Sequence, residues 1–393
     1  MTSEPNPVIF GDFTLDRQKC SLFRLGHPVS LRPKAFDVLS FLVKNANRVV
    51  SKNELIETIW NDVHVTDDTL VQCIRDVRRA LDDIDREIIK TVPRRGYLLT
   101  LELADRQRGP LDLGGRDDPI AYCQTEDGVK IAMAADGQGL PIFRPPTWFN
   151  HLAYDWHVAF RGALYEFLAD QCRLVRYDGR GSGLSDRHVS DISFEAFERD
   201  LDAVVDAHTV EKYGLLGISQ GGAIAISHAA RYPDRVSKLV LNGCYARGRN
   251  KRGSIKDIET GDAYLTLMRH GWGDEHSAFL RSYGMLYFPS ASPEELRASA
   301  DVQRMAMTGD VAVRTRAACQ DVDVTDELAK ITAPTLILHS RYDNAVPFDE
   351  GLRLAEGIPN ARFVALESEN HCPMPNEPAW EHFIGAISEF LCE

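Results

Sequence analysis

One pentapeptide limits the possible folds more than any other feature. Gly217-Ile218-Ser219-Gln220-Gly221 follows the apolar run Tyr213–Gly217 and precedes a helical pattern over Gly222–Tyr232. A serine held between a strand end and a helix start must sit on a sharp turn, and flanking glycines keep side chains from colliding with strand or helix. The hydroxyl then projects at a helix N-terminus. There the amide of Gln220 can donate to a developing oxyanion. A bare G-x-S-x-G also occurs by chance, but the strand–turn–helix context predicts a nucleophile at the edge of a mostly parallel α/β sheet.

The rest of the C-terminal half supplies partners in a usable order. Thr335–His339 is a buried-strand pattern, and Asp343 lies just beyond its carboxyl end, where functional groups collect in open α/β sheets. Phe363–Leu366 reads as the next strand, and His371 follows it before a terminal helix. Taken singly, Asp343 is a turn aspartate and His371 a loop histidine. Together, after successive strands and behind a serine elbow, they resemble the α/β-hydrolase family across roughly residues 120–393. The resemblance implies that Ser219 is the nucleophile, His371 the general base and then acid, and Asp343 its orienter. The chemistry would be acyl transfer to water through an acyl-enzyme. Asp178-Gly179-Arg180-Gly181-Ser182-Gly183-Leu184-Ser185 resembles a loop common in that family and is expected to be scaffold, with Asp178 and Arg180 paired to backbone.

One segment departs from the pattern. Many relatives carry His-Gly after the third strand, shaping a second oxyanion amide. Here Leu140–Arg144 runs into Pro145-Pro146-Thr147-Trp148-Phe149-Asn150-His151. Pro146-Thr147 stands in the His-Gly place, and the Trp148 amide is the expected second donor. Losing one oxyanion donor costs about 10²–10³ in rate, so modest hydrolysis is expected. The wider pattern Trp148, His151, Leu152, Tyr154, Asp155, Trp156 is similar to that of hydrolase domains fused to signalling modules. Trp148, Phe149 and His151 are the candidate pocket residues, with Trp156 nearby, and they favour a small apolar ligand or ester substrate. Residues 246–326 are helical and strand-poor, and read as a cap.

Upstream, residues 104–118 (ADRQRGPLDLGGRDD) form a polar linker. It separates a domain at 1–103 from one at 119–393. The first domain shows strands at Val8–Leu15, Ser21–Leu25 and Pro28–Leu31, with Gly26-His27 as a turn. A helix opens at Pro33, and a second opens with Ser51 and Glu54 as a capping box. A third begins near Thr66. Leu70, Ile74, Val77 and Leu81 fall on one arc of that helix, while Gln72, Arg75 and Arg79 fall opposite, with Arg78 on the flank. Ile88–Val92 and Tyr97–Leu101 form a hairpin whose tip carries Arg94 and Arg95. Over residues 7–102 this order resembles the OmpR/PhoB-type winged-helix output domain. The resemblance implies a four-stranded N-terminal sheet, three helices and a C-terminal wing, with the third helix reading double-stranded DNA. Gln72, Arg75, Arg78 and Arg79 would then face the major groove, and Arg94 and Arg95 would clamp phosphates or enter the minor groove.

Charge is compatible with this division. The chain carries a net −13, yet residues 1–101 hold 15 Lys and Arg against 14 Asp and Glu, so the acidity belongs to the remainder. The eight cysteines are scattered without C-x-x-C, which fits a reducing cytosol and gives no reason to expect a metal or other cofactor. No run suits a bilayer span and the N-terminus lacks a signal-peptide pattern, so a cytoplasmic location away from membranes is expected. The phosphoacceptor domain usual in OmpR/PhoB relatives is not recognisable, and the hydrolase pocket is the expected input. The resulting expectation is a homodimeric, one-component transcriptional regulator that senses its ligand and slowly hydrolyses it. Two alternatives stay open at this point: a serine hydrolase that uses the winged helix only for localisation or dimerisation, and an interaction scaffold.

Overall fold

A computed structural model describes residues 8–10, 13–16, 19, 21–24, 27–46, 48–60, 65, 67–81, 83, 88–93, 95–99, 120–272 and 278–393. The chain divides into two compact units, Met1–Asp112 and Leu113–Glu393. Gly26, Thr66, Arg94, Leu101 and the whole 104–118 linker lie outside the described residues. Among the described residues no helix is long and apolar enough to cross a membrane.

The first unit begins with an antiparallel sheet of β1 (Val8–Phe10), β2 (Phe13–Asp16), β3 (Ser21–Arg24) and β4 (His27–Val29). Sequence reading merged the first two strands into one. Phe10 of β1 lies opposite Phe13 of β2; Gly11 and Asp12 lie outside the described residues. Then come α1 (Pro33–Lys44), β5 (Val49–Val50), α2 (Lys52–Ile59), α3 (Asp67–Ala80), β6 (Ile89–Val92) and β7 (Gly96–Leu99). Pro33 opens α1, where its missing N–H costs nothing. At α2, Ser51 Oγ accepts from the Glu54 amide at 3.1 Å. The reciprocal half of the expected box is absent from the Glu54 contacts described, because its carboxylate takes both nitrogens of Arg48 instead. Two-residue β5 was not foreseen. It pairs with β7, and a side chain on Gly96 would meet the Val50 carbonyl oxygen at 2.0 Å, so this wing requires glycine there.

The second unit is an eight-stranded sheet. It contains β8 (Ala121–Gln124), β9 (Lys130–Asp136), β10 (Pro141–Arg144), β11 (Arg173–Tyr177), β12 (Tyr213–Ile218), β13 (Val236–Asn242), β14 (Thr335–Ser340) and β15 (Arg362–Leu366). The order is β15-β14-β13-β12-β10-β11-β9-β8, and all pairs except β8·β9 and β9·β11 are parallel. β12 and β14 are buried along their whole length, as strands covered on both faces must be. The covering helices are α4 (Ala159–Gln171), α5 (Phe194–Ala207), α6 (Gly221–Arg231), α11 (Phe348–Gly357) and α12 (Pro378–Cys392). Between β13 and β14 the chain inserts α7 (Ile255–Gly271), α8 (Ala278–Tyr287), α9 (Pro293–Ala306) and α10 (Gly309–Gln320). This is the helical cap.

The sheet order places the site. After β10 the chain adds β11 on one side, then returns to lay β12 on the other. The loops that leave β10 and β12 therefore diverge at their carboxyl ends, and ligands of open α/β sheets bind in such a crevice. The loop after β10 carries residues 145–151, and the turn after β12 carries Ser219.

Candidate active site and DNA-binding face

Ser219 adopts φ 53°, a left-handed conformation rare for a residue with a β-carbon. Its amide donates to the Asn242 carbonyl at 3.0 Å, which ties the turn to β13. A β-carbon on Gly217 would meet the Cα of Gly222 at 2.6 Å. One on Gly221 would meet the Pro145 and Pro146 carbonyl oxygens at 2.8 and 2.9 Å. The two glycines thus let the turn close and let the 145–151 loop press against it.

His371 and Asp343 come together as a pair. Nδ1 of His371 lies 2.6 Å from Oδ2 of Asp343. The other carboxylate oxygen, Oδ1, accepts from the amides of Ala345 and Val346 at 2.8 and 3.0 Å. Burial opposes ionisation of Asp343, but the adjoining His371 ring and His339 hold its pKa below the ordinary value. An imidazole so held carries its proton on Nδ1 and presents Nε2 as a base. Nε2 of His371 is buried without a hydrogen-bond partner among the described residues, and His371 lines the same cavity as Ser219. The backbone of His371 is anchored from the cap, its amide donating to the Tyr287 carbonyl at 2.8 Å.

The 145–151 loop is held by Asn150, Asp155 and Arg161, of which Arg161 showed no sign in the sequence. Asn150 Oδ1 accepts from the Thr147 amide at 2.8 Å, and Asn150 Nδ2 donates to Asp155 at 2.5 Å. Arg161 pairs with Asp155 at 2.6 Å, and also donates to Thr147 Oγ1 and the Phe149 carbonyl. All of these side chains are buried. Since the Thr147 amide is taken, Trp148 carries the next amide along the loop. The Trp148 ring is edge-on to Trp272 at 5.2 Å and to Tyr283 at 5.5 Å, both in the cap.

Two cavities meet at Ser219. One is lined by Trp148, Phe149, Phe160, Phe288, His371 and others. The second shares Ser219 and Tyr287 with it and is lined in addition by Arg316, Cys319 and Gln320 of α10. Trp148 and Phe149 therefore lie where an apolar ligand was expected. His151 does not: it belongs to neither cavity lining, its ring lies tilted against Tyr154 at 4.3 Å, and burial pushes its pKa down to about 4. Trp156 is likewise structural, lying under the Arg176 guanidinium at 4.5 Å. In the Asp178–Ser185 loop, Asp178 does accept backbone amides, from Leu152 and Leu184. Arg180 also reaches backbone, at the Asp191 carbonyl at 3.4 Å, and in addition pairs with Asp200 and Asp127.

In the first unit, α3 buries Leu70, Ile74 and Val77, and Leu81 is buried just beyond it. Arg75, Arg79 and, at the hairpin tip, Arg95 are exposed; Arg94 lies outside the described residues. Gln72 is half-buried and donates to Asp76 at 3.1 Å, while Asp76 also meets Arg32 at 3.0 Å. Arg78 needs correcting as a DNA ligand. Its guanidinium donates to the Ile89 carbonyl at 2.6 Å and to Thr91 Oγ1 at 3.0 Å, so it holds the hairpin to α3. A partner eleven residues downstream cannot be read from helix periodicity.

Fold and site together define a winged-helix domain joined to a hydrolase-type α/β domain. The family model described as alpha/beta hydrolase fold matches residues 146–378, and that of the C terminal of transcriptional regulatory proteins matches residues 26–99. The chain belongs to the α/β-hydrolase fold family, and its N-terminal part is an OmpR/PhoB-type DNA-binding domain. It is 29% identical over 258 residues to the AB hydrolase superfamily protein YisY of Bacillus subtilis, covering 64% of this chain and 91% of that one. Over 90 residues it is 37% identical to the transcriptional regulator HilA of Salmonella typhi, covering 23% of this chain and 16% of the regulator. An esterase from Exiguobacterium antarcticum superposes with TM-score 0.60 at 24% identity, covering 70% of this chain and 99% of the esterase. The chain is a transcriptional-regulator DNA-binding domain fused to an α/β hydrolase.

Proposed function

We propose that this protein is a cytoplasmic DNA-binding regulator whose hydrolase domain binds, and slowly hydrolyses, a small carbonyl or ester ligand. The observation that carries the reading is Ser219 on a strained turn facing the same cavity as a His371 already paired to Asp343. In the reaction, Ser219 Oγ bonds to the ligand carbonyl carbon as His371 takes the hydroxyl proton. The Gln220 and Trp148 amides receive the oxyanion. The C–O bond to the alcohol then breaks, and His371 returns the proton to the leaving oxygen. Water repeats the sequence and releases the acid. Turnover is slow in this reading because the loop has Pro146-Thr147 in place of His-Gly.

Ligand and DNA are coupled in this proposal. An effector that changes operator affinity has its own affinity changed by the same factor, and about 1–3 kcal/mol suffices for regulation. The test is operator binding by the full chain with and without a pocket ester. An operator affinity that no Ser219-reactive ester changes would remove the sensing role. The chain is proposed to act on DNA as a homodimer.

Substitutions on α3 separate reading from scaffolding. Arg75→Ala and Arg79→Ala are each expected to weaken operator binding by about 1–3 kcal/mol and to relax preference at one base position. Arg95→Ala should weaken all sequences evenly and flatten the salt dependence. Arg78→Ala should lower the stability of the first unit by about 1–3 kcal/mol, because the Ile89 carbonyl loses a charged donor. Titration of selected and random DNA at several salt concentrations, beside thermal unfolding, measures all four. Unchanged affinity and preference in both the Arg75 and Arg79 variants would refute the recognition-helix assignment.

A further inference from the structure

The two cavities at Ser219 differ in charge. The first is dominated by Trp148, Phe149, Phe160 and Phe288, and its one guanidinium, Arg161, is paired to buried Asp155. The second brings Arg249, Arg252 and Arg316 to one lining with Tyr245 and Tyr287, and among the described residues no carboxylate joins them. Arg252 Nε donates to the Arg247 carbonyl at 3.1 Å, and Arg249 lies 3.9 Å from Asp257. Arg316, on α10, has neither a hydrogen bond nor an ion pair among the described residues.

Guanidinium groups cannot shed their charge in a protein, so burial cannot neutralise them. Three half-buried guanidinium groups around one space repel each other, and an unpaired charge partly withdrawn from water is costly. A carboxylate entering the space relieves both penalties. It also matches the planar fork of arginine with two parallel hydrogen bonds.

We propose that the Arg249–Arg252–Arg316 side of Ser219 is an anion subsite. The ligand is then bipolar: a carboxylate limb under α10, the reacting carbonyl at Ser219, and an apolar limb against Trp148 and Phe160. This deepens the ester reading above, and rests on it for the position of the carbonyl. It also amends the wholly apolar ligand expected from sequence. Three arginines spread over 68 positions of the chain, in the β13-to-cap crossing and on α10, give no local signal.

The test compares mono-para-nitrophenyl glutarate with its methyl ester on the full chain. Wild type is expected to favour the acid by about 10- to 100-fold in kcat/KM, the range of a charged hydrogen-bonded contact. The ratio, formed within each variant, should fall toward one in Arg316→Gln and in Arg252→Gln, and recover in part in Arg316→Lys. Forming the ratio cancels any general loss of activity or folding. No preference in wild type, or a ratio unmoved in both Gln variants, would overturn the subsite while leaving the serine chemistry intact. If neither ester reacts and a neutral fluorophosphonate leaves Ser219 unlabelled, the hydrolytic reading fails instead. Calorimetry with monomethyl glutarate then decides the subsite. Binding at least tenfold weaker in Arg316→Gln supports it, and equal or absent binding overturns it.

Discussion

Ser219→Ala is expected to abolish formation of a fluorophosphonate or acyl adduct, and to lower ester turnover by about 10³-fold or more. The side chain is small, and no hydrogen bond within the fold depends on its hydroxyl among those described, so the loss should come without unfolding. Ser219→Gly gives the sharper result because stability and activity should move in opposite directions. At φ 53° a β-carbon is strained, and glycine is not. Relief of strain, less the extra chain entropy of glycine, leaves a gain of about 1 kcal/mol, or about 2 °C in Tm for a unit this large. Intact mass spectrometry reads the adduct and thermal unfolding reads the sign. Wild-type labelling in either variant would show that another group is the nucleophile. A Ser219→Gly chain less stable than Ser219→Ala would show that the turn stores no strain.

This strain also shows why the elbow was readable from sequence. Glycines at 217 and 221 are demanded by neighbours at under 3 Å, and the demand is local, so it leaves a five-residue signature. Asp343 and His371 were readable for a related reason. Each follows a strand whose run of apolar residues marks its own end. The capping residue Ser51 and the opening Pro33 likewise act within one helical turn. What escaped was tertiary. Arg78 sits on a helix flank like any solvated arginine, and only the approach of β6 gives it the Ile89 carbonyl. His151 lies beside true cavity residues, yet its ring turns to Tyr154. Strand β5 consists of two residues, too few to show a period, and it exists because β7 offers Tyr97 and Leu98 as partners. The Arg316 environment depends on the cap closing over the sheet, and its neighbours are distant in the chain.

Asp155→Ala is expected to destabilise the hydrolase unit by about 3–5 kcal/mol, the cost of stranding a buried partner charge. Asp155 and Arg161 are almost fully buried, and Asp155 also takes Asn150 Nδ2 and the His151 amide. Removing it frees the clamp on Thr147 and Phe149, so the Trp148 amide should lose its fixed place and the rate of Ser219 acylation should fall by about 10²-fold or more. The pair also predicts a pH dependence. Burial opposes ionisation of Asp155, yet Arg161 and Arg144 hold its pKa below the ordinary value. A depressed carboxylate gives its stabilisation above the unfolded-state pKa of about 3.9, and that stabilisation is lost as pH falls through the folded value. The gap between wild type and Asp155→Ala should therefore be full near neutrality and narrow in acid. Asp155→Leu combined with Arg161→Met should recover part of the stability, since a buried pair replaced by apolar residues is often neutral. It should not recover acylation, because Thr147 Oγ1 and the Phe149 carbonyl lose the Arg161 donors and Asn150 loses its Asp155 anchor. Denaturant unfolding of each variant across pH, paired with acylation rates, reads both effects. If the double variant restored acylation as well as stability, the network would be packing alone, and the oxyanion loop would owe its position to something else.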